Sequence, residues 1–226
     1  MTGIGPELAM PRVYPQNQAR GTGGRTVAKF SLQWRQRAPI SPIRDDLMHP
    51  QLQQLHQDHI NLAKVLHLLE TLLSDVKYGE PVDLDILSEI VDYVQSYPDR
   101  FHHRHEDAIF SVYLEHPACR HDLVERLMGE HTLLVGKTHE LNQYIQQWRN
   151  DSPVPRERVV SMIADYLHLQ WDHLNTEESS VFNWLDQELT DGDWGRIEAS
   201  MPAATDPLFG NPMRQRFENI FERLIA

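Results

Sequence analysis

Two short spacings carry most of the chemistry in this chain: His102-x-x-x-Glu106 and His173-x-x-x-Glu177. In a helix, a residue four positions on lies about 6 Å along the axis and is turned by about 40°. Each histidine and its glutamate can therefore reach one small volume. Two more histidines, His59 and His131, stand where apolar residues otherwise recur every three or four positions. One core histidine alone reads as a hydrogen-bonded packing residue, and one i,i+4 His/Glu pair as a weak surface pair. Six such residues on core-facing stripes read differently, because a carboxylate ionised inside a core is costly unless a cation or a paired group faces it. Two carboxylates from two helices can bridge a pair of cations and neutralise much of their charge. Mixed imidazole and carboxylate ligation suits iron, manganese or zinc, and disfavours calcium or magnesium.

The elements that must carry these groups are helical. Leu52, Leu55, His59, Leu62, Leu66, Leu69, Leu73 and Val76 form one stripe, broken at Tyr78-Gly79-Glu80-Pro81. Asp83 can cap a second helix running through Leu87, Ile90, Val94, Tyr97, His102, Glu106, Ile109 and Tyr113. Pro98 should kink it, and His116-Pro117 ends it. A third stripe runs Leu123, Leu127, His131, Leu134, Thr138, Leu141, Ile145, Trp148, and a fourth runs Val159, Met162, Tyr166, His173, Glu177, Val181, Trp184. Short helices are expected near 193–200 and 213–224. Four long helices with short connections predict an all-α, antiparallel, up-down-up-down four-helix bundle. In that arrangement the Gly79 and Asp151 loops share one end. His59, His102 and His131 each lie 19 residues from that end and His173 lies 17, so all four fall in one layer roughly 25–29 Å away.

At these residues the chain resembles the hemerythrin family in its cation-binding His-His-Glu form, over roughly 49–190. The matching elements are Asp58-His59, Phe101-His102-His103 with Glu106-Asp107, Glu130-His131, and His173-x-x-x-Glu177-Glu178 with Phe182. The resemblance implies a hemerythrin-like bundle holding two iron ions as a non-haem di-iron centre. His59 and His102 would serve one iron, His131 and His173 the other, and Glu106 and Glu177 would bridge. Two departures stand out. Oxygen-carrying members place a second histidine four residues after the third-helix histidine, where this chain has Val135. They also use His-x-x-x-x-Asp in the fourth helix, and here that spacing lands on Glu178. A missing histidine implies a more open iron. The remaining set is similar to bacterial proteins linked to nitric oxide stress and repair of iron centres, which usually carry an extra N-terminal domain with a cysteine. Residues 1–44 contain none.

The expected function is a di-iron protein that binds or responds to oxygen, nitric oxide or iron under stress. A redox enzyme acting on nitric oxide or peroxide, and an interaction protein with a structural metal, are the alternatives. His56 is the rival ligand to His59 on the first helix. His103, His105 and Asp107 are expected beside the site or on the surface, and His139 and His168 as outer groups or surface residues. The expected organisation is a flexible basic segment over 1–47, the bundle over 48–190 and a helical extension over 191–226. Residues 1–44 hold seven Lys/Arg against one acid, while the rest keeps 14 of the 21 Lys/Arg and 32 of the 33 Asp/Glu. So acidic a body argues against nucleic-acid binding. No apolar run of membrane-spanning length occurs, and the single cysteine, Cys119, fits a reducing, cytoplasmic setting. The sequence points to a small diatomic ligand and to no particular protein partner.

Overall fold

The computed structural model describes residues 48–201, 204–210 and 215–225; the basic segment over 1–47 lies outside them. Regular structure among the described residues is helical, with no strand. Helix α1 (Pro50–Tyr78) opens at Pro50, whose ring pre-sets the helical φ, and the His49 ring accepts the Gln51 N–H. It closes at Gly79, whose φ of 74° costs glycine little and turns its N–H back to the Val76 carbonyl. Helix α2 (Leu84–Ser96) begins where the Asp83 carboxylate accepts the Asp85 and Ile86 N–H groups.

The kink at Pro98 takes the form of a π turn over Pro98–His102. There the N–H groups of His102 and His103 reach the carbonyls of Tyr97 and Pro98, five residues back rather than four. Helix α3 (His103–Tyr113) follows, then α4 (His121–Arg149) and α5 (Arg156–Thr176). A second π turn, over Glu177–Val181, joins α5 to α6 (Phe182–Glu188). Helix α7 (Asp191–Ser200) starts at a capping box between Thr190 and Asp193. A 3-10 turn at Gln215–Phe217 leads into α8 (Glu218–Ile225).

Contacts between the long helices close on themselves: α1 packs on α2 and α5, and α4 packs on α2 and α5. Outside them, α7 packs on α3, and α8 on α1 and α2. Leu52, Leu55, Ile109, Phe110, Tyr113, Leu127, Phe182, Leu185, Trp194 and Ile197 form one core cluster. Leu66, Leu87, Ile90, Leu134, Ile145 and Ile163 are fully buried as well. Each such side chain contributes about 1.5–3 kcal/mol on burial, which offsets the cost of holding polar groups inside. Among those groups His59, His102, His103, Glu106, His131, His173 and Glu177 are all buried. No helix among the described residues is long and apolar enough to cross a membrane.

Candidate metal centre

The structure brings the six predicted residues together. His59 comes from α1, His102 from the end of the first π turn, Glu106 from α3, His131 from α4, His173 from α5 and Glu177 from the start of the second π turn. None is more than 3% exposed. The Nε2 atoms of His59 and His102 lie 3.0 Å apart, and those of His131 and His173 3.1 Å apart. Glu106 Oε1 faces the first pair at 3.2 and 3.3 Å, while its Oε2 is 3.4 Å from His131 Nε2. Glu177 Oε1 lies 3.2 Å from His173 and 3.7 Å from His131, and its Oε2 lies 3.5 Å from His59. Two imidazole pairs thus flank two shared carboxylates. Phe182 stacks on His59 with centroids 5.2 Å apart, and Phe110 on His131 at 6.1 Å, so apolar rings wall the cluster.

Each of the four imidazoles is held at its other nitrogen by a carboxylate from a neighbouring helix. Asp58 of α1 faces His102 Nδ1 at 3.2 Å, and Asp107 of α3 faces His131 Nδ1 at 2.8 Å. Glu130 of α4 faces His173 Nδ1 at 3.1 Å, and Glu178 of the second π turn faces His59 Nδ1 at 2.7 Å. With an acceptor at Nδ1, a neutral ring carries its proton there and leaves a lone pair on Nε2. Tyr97 donates to Asp58 as well, at 3.1 Å. Sequence reading singled out Asp58, Asp107, Glu130 and Glu178 only as neighbours of the central six. A residue adjacent in a helix is turned by about 100°, so it faces the next helix rather than the interior.

Two Nε2 lone pairs about 3 Å apart repel unless something positive lies between them, either a proton or a metal ion. Without metal, protons take that place. Burial alone would lower these imidazoles, but the surrounding carboxylates overcome it. Hydrogen bonds to Glu106 and Glu178 raise His59 to about 10. The charge of Glu106 and the bond to Asp58 raise His102 to about 9. The hydrogen bond to Asp107 and the nearby Glu106 and Glu177 carboxylates raise His131 to about 12. Burial likewise pushes Glu106 up, and burial and the charge of Glu106 push Glu177 up, yet the imidazoles hold both below the ordinary carboxylate value.

The donor set fits metal ions on independent grounds. Glu106 Oε2 and both Glu177 carboxylate oxygens are buried and lack aligned hydrogen-bond partners. Two donors each about 2.1 Å from one ion and at right angles are about 3.0 Å apart, close to the Nε2 separations seen here. His59, His102 and Glu106 form one group able to hold an ion, and His103, Glu106, His131 and His173 form another.

The remaining predicted residues separate clearly. His56 is buried, but its Nδ1 faces Glu178 at 2.9 Å, behind His59. Glu177 turns into the centre and Glu178 to its edge, so the four-residue spacing from His173 reaches the cluster. His168 pairs with Asp172 and is 62% exposed, and His139 bonds Gln143 on the surface. Val135, four residues past His131, is 42% exposed. His103, expected beside the site or on the surface, is buried against His131. A cavity of about 610 Å³ opens beside His102, lined in part by Asp58, Tyr97, Arg100, Arg104, His105 and Glu198.

A family model described as "Hemerythrin HHE cation binding domain" matches residues 51–185. No curated protein and no solved structure gives a significant match.

Proposed function

This chain belongs to the hemerythrin HHE cation-binding domain family, and from that premise we propose that it holds two non-haem irons inside an antiparallel, up-down-up-down four-helix bundle. The bundle spans 48–190, with 191–226 as a helical extension. His59 and His102 ligate one iron, His131 and His173 the other, and Glu106 and Glu177 bridge. One observation carries the reading: four Nε2 atoms converge in pairs on two shared, buried carboxylates, with every Nδ1 anchored. A bound iron pair supplies a position where oxygen or nitric oxide can bind and exchange electrons. The chain's own groups do the rest. Asp58, Asp107, Glu130 and Glu178 fix the tautomer and aim of the four rings. Phe110 and Phe182 keep water from the walls they cover. The physiological role is binding of, or response to, oxygen or nitric oxide under stress, in a cytoplasmic setting consistent with the single cysteine.

The test is metal analysis and optical spectra of protein purified without air and then exposed separately to oxygen and nitric oxide. About two irons per chain and distinct spectral changes with each gas are expected. A single tight zinc that iron does not replace would sink the di-iron reading.

A milder prediction concerns the outer carboxylates. Asp107→Ala should keep the fold and weaken metal binding by about 10–100-fold, toward the lower end because the Asp107 side chain is 38% exposed. Competition with a chelator measures this. Unchanged affinity would mean that His131 needs no anchoring.

A further inference from the structure

We propose that His103 supplies a third imidazole to the metal position between His131 and His173, so that the two positions of the pair are unlike: three histidines on that side, two on the His59–His102 side. The inference rests on the two-metal reading above and concerns a residue outside its six.

The His103 ring is 2% exposed, and neither ring nitrogen has a hydrogen-bond partner. Buried polar groups are almost always satisfied, so a bare imidazole calls for a partner. It lies flat against His131, with centroids 4.5 Å apart and planes within 9°, and edge-on to His173 at 5.8 Å. One of its nitrogens joins Glu106, His131 and His173 in a set of ligand atoms that all lie within 4.8 Å of one another. Donors about 2.1 Å from one octahedral ion are about 3.0 Å apart when adjacent and about 4.2 Å when opposite. The outer limit of that set, 4.8 Å, exceeds the opposite-donor spacing by about 0.6 Å.

On its Nδ1 side the ring also faces a carboxylate, here beyond hydrogen-bond distance. His103 Nδ1 stands 3.7 Å from Asp99 Oδ1, itself buried and without a partner. Asp99 Oδ2 accepts the Thr138 hydroxyl of α4 at 2.6 Å, which fixes the carboxylate in place. A fifth carboxylate therefore backs a fifth imidazole, leaving Nε2 for an ion. The π turn at Pro98–His102 is what allows this: adding a residue to the ladder lets His102 and His103 both face inward. The missing histidine at Val135 on α4 is thereby replaced from α3. The position with fewer protein ligands is then the His59–His102 one, and the cavity beside His102 lies on that side.

His103→Phe tests this, because phenylalanine keeps the flat stack on His131 and removes both nitrogens. Metal-free wild type and variant are titrated with cobalt(II), reading ions per chain and the visible bands that report coordination number. Wild type should take two ions. The variant, folded by circular dichroism, should bind one as tightly as wild type and the other at least about tenfold more weakly, with altered bands. Should phenylalanine not fold, Asp99→Asn leaves His103 in place and should weaken the same position by about 10–100-fold. Two ions bound with wild-type affinity and unchanged bands in the variants would overturn the assignment and leave the di-metal reading intact. Failure of wild type to take a pair would remove both.

Discussion

Glu106→Ala is expected to lose its metal, at a cost exceeding the ~10–100-fold expected for any outer carboxylate. Glu106 lies within 3.4 Å of three different imidazoles, touching His59 and His102 through one oxygen and His131 through the other. In the proposed pair its removal would take a donor from both metal positions at once and leave Glu177 to neutralise them alone. Glu106→Gln separates charge from shape: it fills the same space and should still lose most of the affinity. Iron per chain after anaerobic reconstitution is the readout. An alanine variant holding two irons would show that Glu106 is not a shared donor.

The second large effect concerns protein stripped of metal. Its stability should fall as pH rises, by on the order of a few kcal/mol in all. The sign follows from the raised imidazoles. A histidine held above its unfolded value of 6.5 contributes stability that is fully present below 6.5. That stability is lost as pH climbs through about 9 for His102, about 10 for His59 and about 12 for His131. Glu106 and Glu177 act at the other limit, where their contribution fades as pH falls below the ordinary carboxylate range. Metal-loaded protein has ions in place of the imidazole protons and should lack the alkaline decline. Metal at a thousand times its dissociation constant adds about 4 kcal/mol, or roughly 8–16 °C in Tm. The gap between loaded and stripped Tm should therefore widen from pH 7 to pH 10. Parallel curves would contradict the exchange of imidazole protons for metal ions.

The helices were legible because their ends are chemically marked: Pro50 and Gly79 on α1, Asp83 on α2, the Asp151–Pro155 stretch before α5. The convergence of six polar residues was legible because each interrupts an apolar stripe, counting from one end set the four histidines at one height, and the i,i+4 spacing added the two glutamates. Three features escaped for physical reasons. Asp58, Asp107, Glu130 and Glu178 stand next to the central groups in sequence, but the histidine each one holds belongs to another helix and depends on packing. His103 faces inward because of a one-residue shift in the backbone ladder, which leaves no mark on side-chain periodicity. The second π turn, at Glu177–Val181, contains no proline to announce it. Val135 shows the converse: its spacing from His131 points to the interior, yet packing leaves it 42% exposed.

The alternation of central and anchoring residues around the four helices sets rules for insertions and deletions. Asp58 and His59 are neighbours in the chain but serve different histidine contacts, as do Glu106 and Asp107, Glu130 and His131, and Glu177 and Glu178. Adding or deleting one residue within a helix, between its packed stripe and such a pair, swings both members by about 100°. That breaks one link to the preceding helix and one to the following helix in a single event. A change in length at Glu80–Val82 or Ser152–Val154 swings neither. Descendants of this sequence should therefore drift freely in loop length, keep helix length fixed, and exchange Asp for Glu at an anchor only together with its partner across the helix boundary.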